Sequence, residues 1–228
     1  PRAGARSLPG RAGPAPPPPG ARPPPTLLLG LPALLFALIT WQVAAHGPLA
    51  RADERLSDRL VHPARVWELL ADLGNITVAV PVLAAALVYA AVRARRAGVH
   101  RWWLPSTAAA VLMAVVPAVI VPLKELIARS GPPVMGPGNG YYPSGHTATA
   151  AVAYGAATLL LLPWLRTTGA HRALLIACAT LNAAVVTGLV LRGYHWPLDV
   201  VASWCLCAML LYSLWLFLAR TSDRPQPK

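Results

Sequence analysis

The chain has 228 residues, of which 56% are hydrophobic and only 12% charged, against about 25% charged in an ordinary soluble domain. Lys and Arg total 20 and Asp and Glu 8, a net +12 that in a polar protein would point to nucleic acid. So apolar a chain has too little polar surface for a soluble globule, and the placement of its charges, followed below, excludes a nucleic-acid footprint.

Residues 1–25 are low in complexity: ten of them are proline, and Arg2, Arg6, Arg11 and Arg22 are the only charges. Such a segment buries no core and is expected to be a disordered cytoplasmic tail. Six apolar segments follow, at 26–46, 73–93, 103–128, 145–165, 171–191 and 196–219. Each is close to the ~20 residues that cross a bilayer. Backbone groups in lipid must be satisfied within the segment, so all six are predicted to be helices. The first ends in a cleavable-looking Val43-Ala44-Ala45. Its apolar stretch exceeds the roughly 7–15 residues of a signal-peptide core, which predicts a retained span. The fold class is therefore all-α, a polytopic integral membrane protein of six transmembrane helices. Residues 26–219 form its membrane domain, and 220–228 form a short cytoplasmic tail.

Charge placement orients it. With the N-terminal tail inside, the inner segments hold 13 Lys and Arg and one acid, Asp223, and the outer segments hold 7 of each sign. Basic residues concentrate in cytoplasmic loops, so both termini are expected inside and the surplus charge is an orientation signal. Trp102, Trp103, Trp164 and Trp196 fall at span ends, where an aromatic belt is expected. The outer stretch 50–60 mixes charges at helical spacing and reads as a short, solvated, salt-bridged surface helix without chemistry. Cys178, Cys205 and Cys207 all sit in apolar runs, which suits neither a disulfide framework nor a zinc site.

On this topology Lys124, Arg129, Ser144, His146, Arg192, His195 and Asp199 all reach the outer face. His195 and Asp199 are four apart at the start of the last span and share a helix face. A carboxylate there can hold one imidazole nitrogen and aim the other outward, although an acid at a helix start is favoured by the dipole in any case. Ser144-Gly145-His146 follows a Gly/Pro-rich loop and opens the fourth span. Helix N-terminal amides bind anions, and Gly145 lets a phosphate approach the backbone. Ser144 either adds a hydroxyl donor or caps the helix. His146 can protonate a departing oxygen. Lys124 ends the third span, where it either snorkels or meets an anion. Arg129 and Arg192 could supply bidentate forks to a phosphate.

The order Lys124…Pro132, Pro143-Ser144-Gly145-His146, His195-Trp196-Pro197-Leu198-Asp199 resembles the type 2 phosphatidic acid phosphatase family, which also includes glucose-6-phosphatase and the vanadium haloperoxidases. The resemblance implies a membrane phosphatase with a core helical bundle of that kind, acting on a lipid phosphate or diphosphate of the phosphatidic acid or polyprenyl diphosphate class. It implies His195 as nucleophile forming a phosphohistidine, Asp199 orienting it and His146 as acid. Lys124, Arg129, Ser144, Gly145 and Arg192 would hold the phosphate, with no metal and no cofactor. The partners implied are the lipid substrate and the bilayer, that of a bacterial plasma membrane, with the site on the extracytoplasmic face and no nucleic acid. Two positions depart from the family pattern. Its first motif has arginine where this chain has Gly131, and its third has arginine where this chain has Leu189. The nearest replacements are Arg129 and Arg192. These departures motivate a second expectation, a weak or inactive member that binds anionic lipid headgroups. Transporter and haloperoxidase readings have less in their favour.

Overall fold

A computed structural model describes residues 25–222, so the tail expected over 1–25 lies almost wholly outside the described residues. Eight α-helices follow in order: α1 (Pro25–Ala44), α2 (Pro48–Leu60), α3 (Arg65–Asp72), α4 (Ile76–Arg96), α5 (Leu104–Ile127), α6 (Gly145–Leu161), α7 (Thr168–Arg192) and α8 (Pro197–Ser222). Among the described residues the only β pairing is one isolated bridge, Ser130 to Asn139. Six stretches are long and apolar enough to cross a membrane, with α3 and α4 counted together as Arg65–Arg96. The all-α, six-span reading therefore holds, with shifted ends. Asn75 caps α4 by accepting from the Thr77 amide at 3.3 Å, so that helix starts at 76. Helix α8 continues past 219 to Ser222.

Helix α6 is the axis of the bundle. Twelve of its 17 residues are buried, and it packs against α4, α5, α7 and α8. Its sequence, GHTATAAVAYGAATLLL, explains this position. Without a hydrophobic force between helices in lipid, close packing depends on small side chains that let backbones approach. Helix α4 answers with Ala79, Leu83, Ala86, Ala90 and Ala94, all buried and spaced three or four apart on one face. The Tyr154 hydroxyl of α6 donates to the Leu73 carbonyl at 2.5 Å, and Ser106 of α5 donates to Leu87 O of α4 at 2.9 Å. These bonds tie neighbouring helices by groups that would be costly to leave unpaired.

The segment 47–72 departs most from expectation. Helix α2 is amphipathic, but Asp53 and Ser57 lie on its buried face with Ala50. It lies against α1, α7 and α8, and α3 packs closely on α7. That last contact depends on Gly188: a Cβ there would come within 2.5 Å of Trp67 O and would overlap the Ala71 amide. Replacing Gly188 by leucine is expected to cost about 1–3 kcal/mol or more through overpacking. A fall in the melting temperature of the detergent-solubilised protein would register it, and an unchanged value would mean that α3 moves freely.

Candidate active site

All the candidate site residues from the sequence lie at one end of the bundle, at the C-terminal ends of α5 and α7, the N-terminal ends of α6 and α8, and the loops joining them. The 128–144 loop starts at Ala128, whose left-handed backbone (φ 46°) ends α5. It folds back on itself, because Arg129 O accepts from the amides of Gly140 (2.9 Å) and Tyr141 (3.1 Å). The Lys124 ammonium donates to Gly140 O at 2.7 Å, leaving two of its three donors for another acceptor.

Asp199 is the hub. Pro197 occupies the first position of α8, where its missing N–H is no loss. Asp199 stands two residues on and reaches back, in the manner of a capping box, to accept from the Trp196 amide at 3.2 Å. The same oxygen, Oδ2, accepts from His195 Nδ1 at 3.2 Å. Its Oδ1 accepts from Arg129 NH1 at 2.6 Å. The carboxylate is completely buried and His195 nearly so. This arrangement fixes the imidazole with Nδ1 on the carboxylate and leaves Nε2 as the atom with a free lone pair. The edge of the Tyr141 ring lies against the His195 ring, with centroids 6.0 Å apart.

Ser144 joins α6 to α8. It is fully buried, and its amide donates to Asp199 O at 3.1 Å. Its carbonyl accepts from Ser203 Oγ at 2.9 Å. Its hydroxyl oxygen caps α6, accepting from Thr147 N (3.3 Å) and Thr147 Oγ1 (3.0 Å). Of the two sequence readings of Ser144, the cap is the one this geometry carries. Ser144 also takes the amide of Ala148 on its carbonyl, so the amides at the head of α6 without a partner are those of Gly145 and His146. His146 is half-buried and within electrostatic range of His195, Asp72 and Lys124. His146, Gly145 and Lys124 line one cavity of about 630 Å³, which continues along Ile76, Val80, Val116, Pro117, Ile120 and Val121. It is polar at its head and apolar along the spans.

The profile of the PAP2 superfamily matches residues 75–223, more than half of the chain. The chain belongs to the PAP2 superfamily. A transmembrane PAP2-type phosphatidylglycerolphosphate phosphatase from Bacillus subtilis has the same fold, with a TM-score of 0.68 and 22% identity over 86% of this chain and 98% of that one. No curated protein matches the chain.

The departures from the PAP2 motif pattern have physical correlates. A side chain at Gly131 would collide with the Tyr141 ring, whose Cε2 and Cζ lie 2.7 Å from where its Cβ would be. Leu189 is fully buried in the main core cluster, and its carbonyl accepts from the amides of Tyr194 (2.8 Å) and His195 (3.3 Å). Neither position has room for arginine in this packing. The two expected substitutes sit differently. Arg129 has both terminal nitrogens on carboxylates: NH1 on Asp199, and NH2 on Asp53 Oδ2 at 2.9 Å. Its guanidinium also lies over the Trp196 ring, 5.4 Å from the centroid, so the structure places it against protein carboxylates and an indole. Arg192 Nε is 3.9 Å from Glu68 Oε2, over the Tyr194 ring. It lines a separate cavity of about 510 Å³ with Arg65, Glu68 and Asp72. Trp196, expected in the lipid interface, is buried because its indole N–H reaches Ser130 O at 2.9 Å. Sequence reasoning missed Asp53, Tyr141 and Ser203. Asp53 had a local signal, since Ala50, Asp53 and Ser57 share one face of α2.

Proposed function

We propose that this PAP2 protein is a membrane phosphatase that hydrolyses a lipid phosphate or lipid diphosphate, of the phosphatidic acid or polyprenyl diphosphate class, through a phosphohistidine. One observation carries the reading: His195, clamped by a buried carboxylate at Nδ1, stands at the end of the bundle where His146 and the unpaired amides of α6 converge. His195 Nε2 attacks phosphorus. The bond to the lipid oxygen breaks as His146 protonates that oxygen. Lys124 and the amides of Gly145 and His146 stabilise the equatorial oxygens, where charge stabilisation dominates phosphoryl transfer. His146, now neutral, takes a proton from water, which attacks the phosphohistidine and releases inorganic phosphate.

A lipid substrate is supported by the cavity below His146 and Lys124, whose apolar length lies among membrane-spanning residues. A headgroup at its polar head leaves a hydrocarbon tail beside Ile76 and Val121, both exposed on the outside of the bundle. The excess of basic residues at the opposite end supports an extracytoplasmic site in a bacterial plasma membrane, and residues 26–219 act as one phosphatase domain.

A second reading, an anionic-lipid binder with little turnover, is favoured by the closed positions at Gly131 and Leu189 and by the engagement of Arg129. Phosphate release from a panel of phosphatidic acid, phosphatidylglycerolphosphate and polyprenyl diphosphates, with and without vanadate, separates the two. A phosphatase turns over at least one of them and is inhibited by vanadate, which mimics five-coordinate phosphorus. Binding without release on any member of the panel supports the second reading.

A further inference from the structure

We propose that Asp53 is a positioning residue of the active site: it holds Arg129 so that the guanidinium fixes Asp199, and through Asp199 the orientation of His195. This rests on the reading of His195 as nucleophile. Asp53 belongs to α2, 76 residues from Arg129 in the chain, does not line the cavity, and its hydrogen bonds go to Arg129 and Leu198, neither of which lines it. Its side chain is nonetheless only 3% exposed, and both its oxygens are engaged. Oδ2 accepts from Arg129 NH2 at 2.9 Å, and Oδ1 accepts from the Leu198 amide in the first turn of α8 at 3.0 Å. A carboxylate–guanidinium–carboxylate–imidazole chain therefore runs Asp53, Arg129, Asp199, His195.

The geometry gives Asp53 two levers. Arg129 is planar and rigid, so a partner on NH2 sets where NH1 points, and NH1 sits on Asp199 Oδ1. The bond to Leu198 N grips α8 one residue before Asp199 itself. Glu54 lies on the same guanidinium nitrogen at a looser 3.6 Å and is half-exposed, so it cannot do the same work. A buried carboxylate on a short helix outside the six spans is costly to keep. Here it is matched to the arginine that anchors Asp199 rather than to substrate.

The test uses the full chain purified in lipid nanodiscs. Asp53→Asn keeps the shape but loses the charge and one acceptor. It is expected to lower kcat about 10²-fold, the scale of a small misplacement at a reacting centre, with KM changed less than about threefold. Burst formation of phosphohistidine should slow by the same factor. In an Arg129→Met background the same change should cost little more, because neighbours in one network are not additive. Unchanged kcat in Asp53→Asn, or a full second loss in the Arg129→Met background, overturns the proposal. If Asp53→Asn does not fold, the double replacement Asp53→Leu with Arg129→Met decides. An apolar pair of this kind often restores folding at a buried ion pair. The proposal expects a melting temperature above that of Arg129→Met alone, since only Asp199 is then left without the guanidinium, with kcat still low, and recovery of kcat would make Asp53 merely structural. His195→Ala separates the two levels. If that variant still turns over, the nucleophile reading has failed. If it is dead while Asp53→Asn is normal, only the role of Asp53 has failed.

Discussion

Replacing His195 by alanine is expected to slow phosphate release by at least about 10⁴-fold, the scale on which loss of a covalent nucleophile is felt. The substitution removes the atom that forms the intermediate and leaves the amides of Gly145 and His146 and the Lys124 ammonium in place. Substrate binding should therefore survive, and the variant should hold a lipid phosphate without releasing it. His146→Ala gives the complementary result. If His146 protonates the leaving oxygen, its loss costs about 10²–10⁴-fold on a lipid phosphate, whose alkoxide needs the proton. It costs far less on an aryl phosphate, whose phenolate leaves unaided. Equal losses on the two substrates would remove His146 from the acid role. Retained turnover in His195→Ala would falsify the assignment of the nucleophile.

The parts of this site that were legible in sequence are those set by short-range geometry. His195 and Asp199 are four apart, and the i,i+4 rule alone puts them in contact, as the 3.2 Å bond shows. Ser144 precedes a helix and caps it. The six spans follow from apolar length, which depends on the bilayer and not on neighbours. Segments that depend on distant partners were misread. Helix α2 carries charges of both signs, the usual mark of a solvated helix, but Asp53 is buried because Arg129 comes to meet it from beyond α5. Trp196 sits at a span end like the other tryptophans, and only the Ser130 carbonyl explains why it is buried. Helix α3 interleaves Arg65 and Glu68 with apolar residues and looks like loop until the notch at Gly188 is seen to receive it. Arg129 was recognised as part of the site, but its distance from a carboxylate or a phosphate is a property of the folded loop.

Arg129→Met is expected to cost about 3–5 kcal/mol of stability, because it strands two buried carboxylates. For a chain of this size that corresponds to a drop in melting temperature on the order of 10 °C. The side chains involved are 5% (Arg129), 3% (Asp53) and 0% (Asp199) exposed, so water cannot replace the guanidinium. The loss should depend on pH in a definite sense. Burial pushes the Asp53 carboxyl up to about 6 from an ordinary 3.8, against the downward pull of the Arg129 guanidinium and the Leu198 amide, while Asp199 adds to the rise. Between those two values the folded protein holds a proton that the unfolded chain has released, so the contribution of Asp53 to stability improves as pH falls from about 6 towards 4. Removing Arg129 removes the main downward pull, so in the variant this improvement should be larger and begin at a higher pH. The gap in melting temperature between the parent and Arg129→Met is therefore widest near pH 7.5 and narrows by pH 5. Melting curves at the two pH values check it. A gap that is constant or widens on acidification would mean that Asp53 is not the carboxylate left exposed to the cost of burial, and that Arg129 is held chiefly by Asp199.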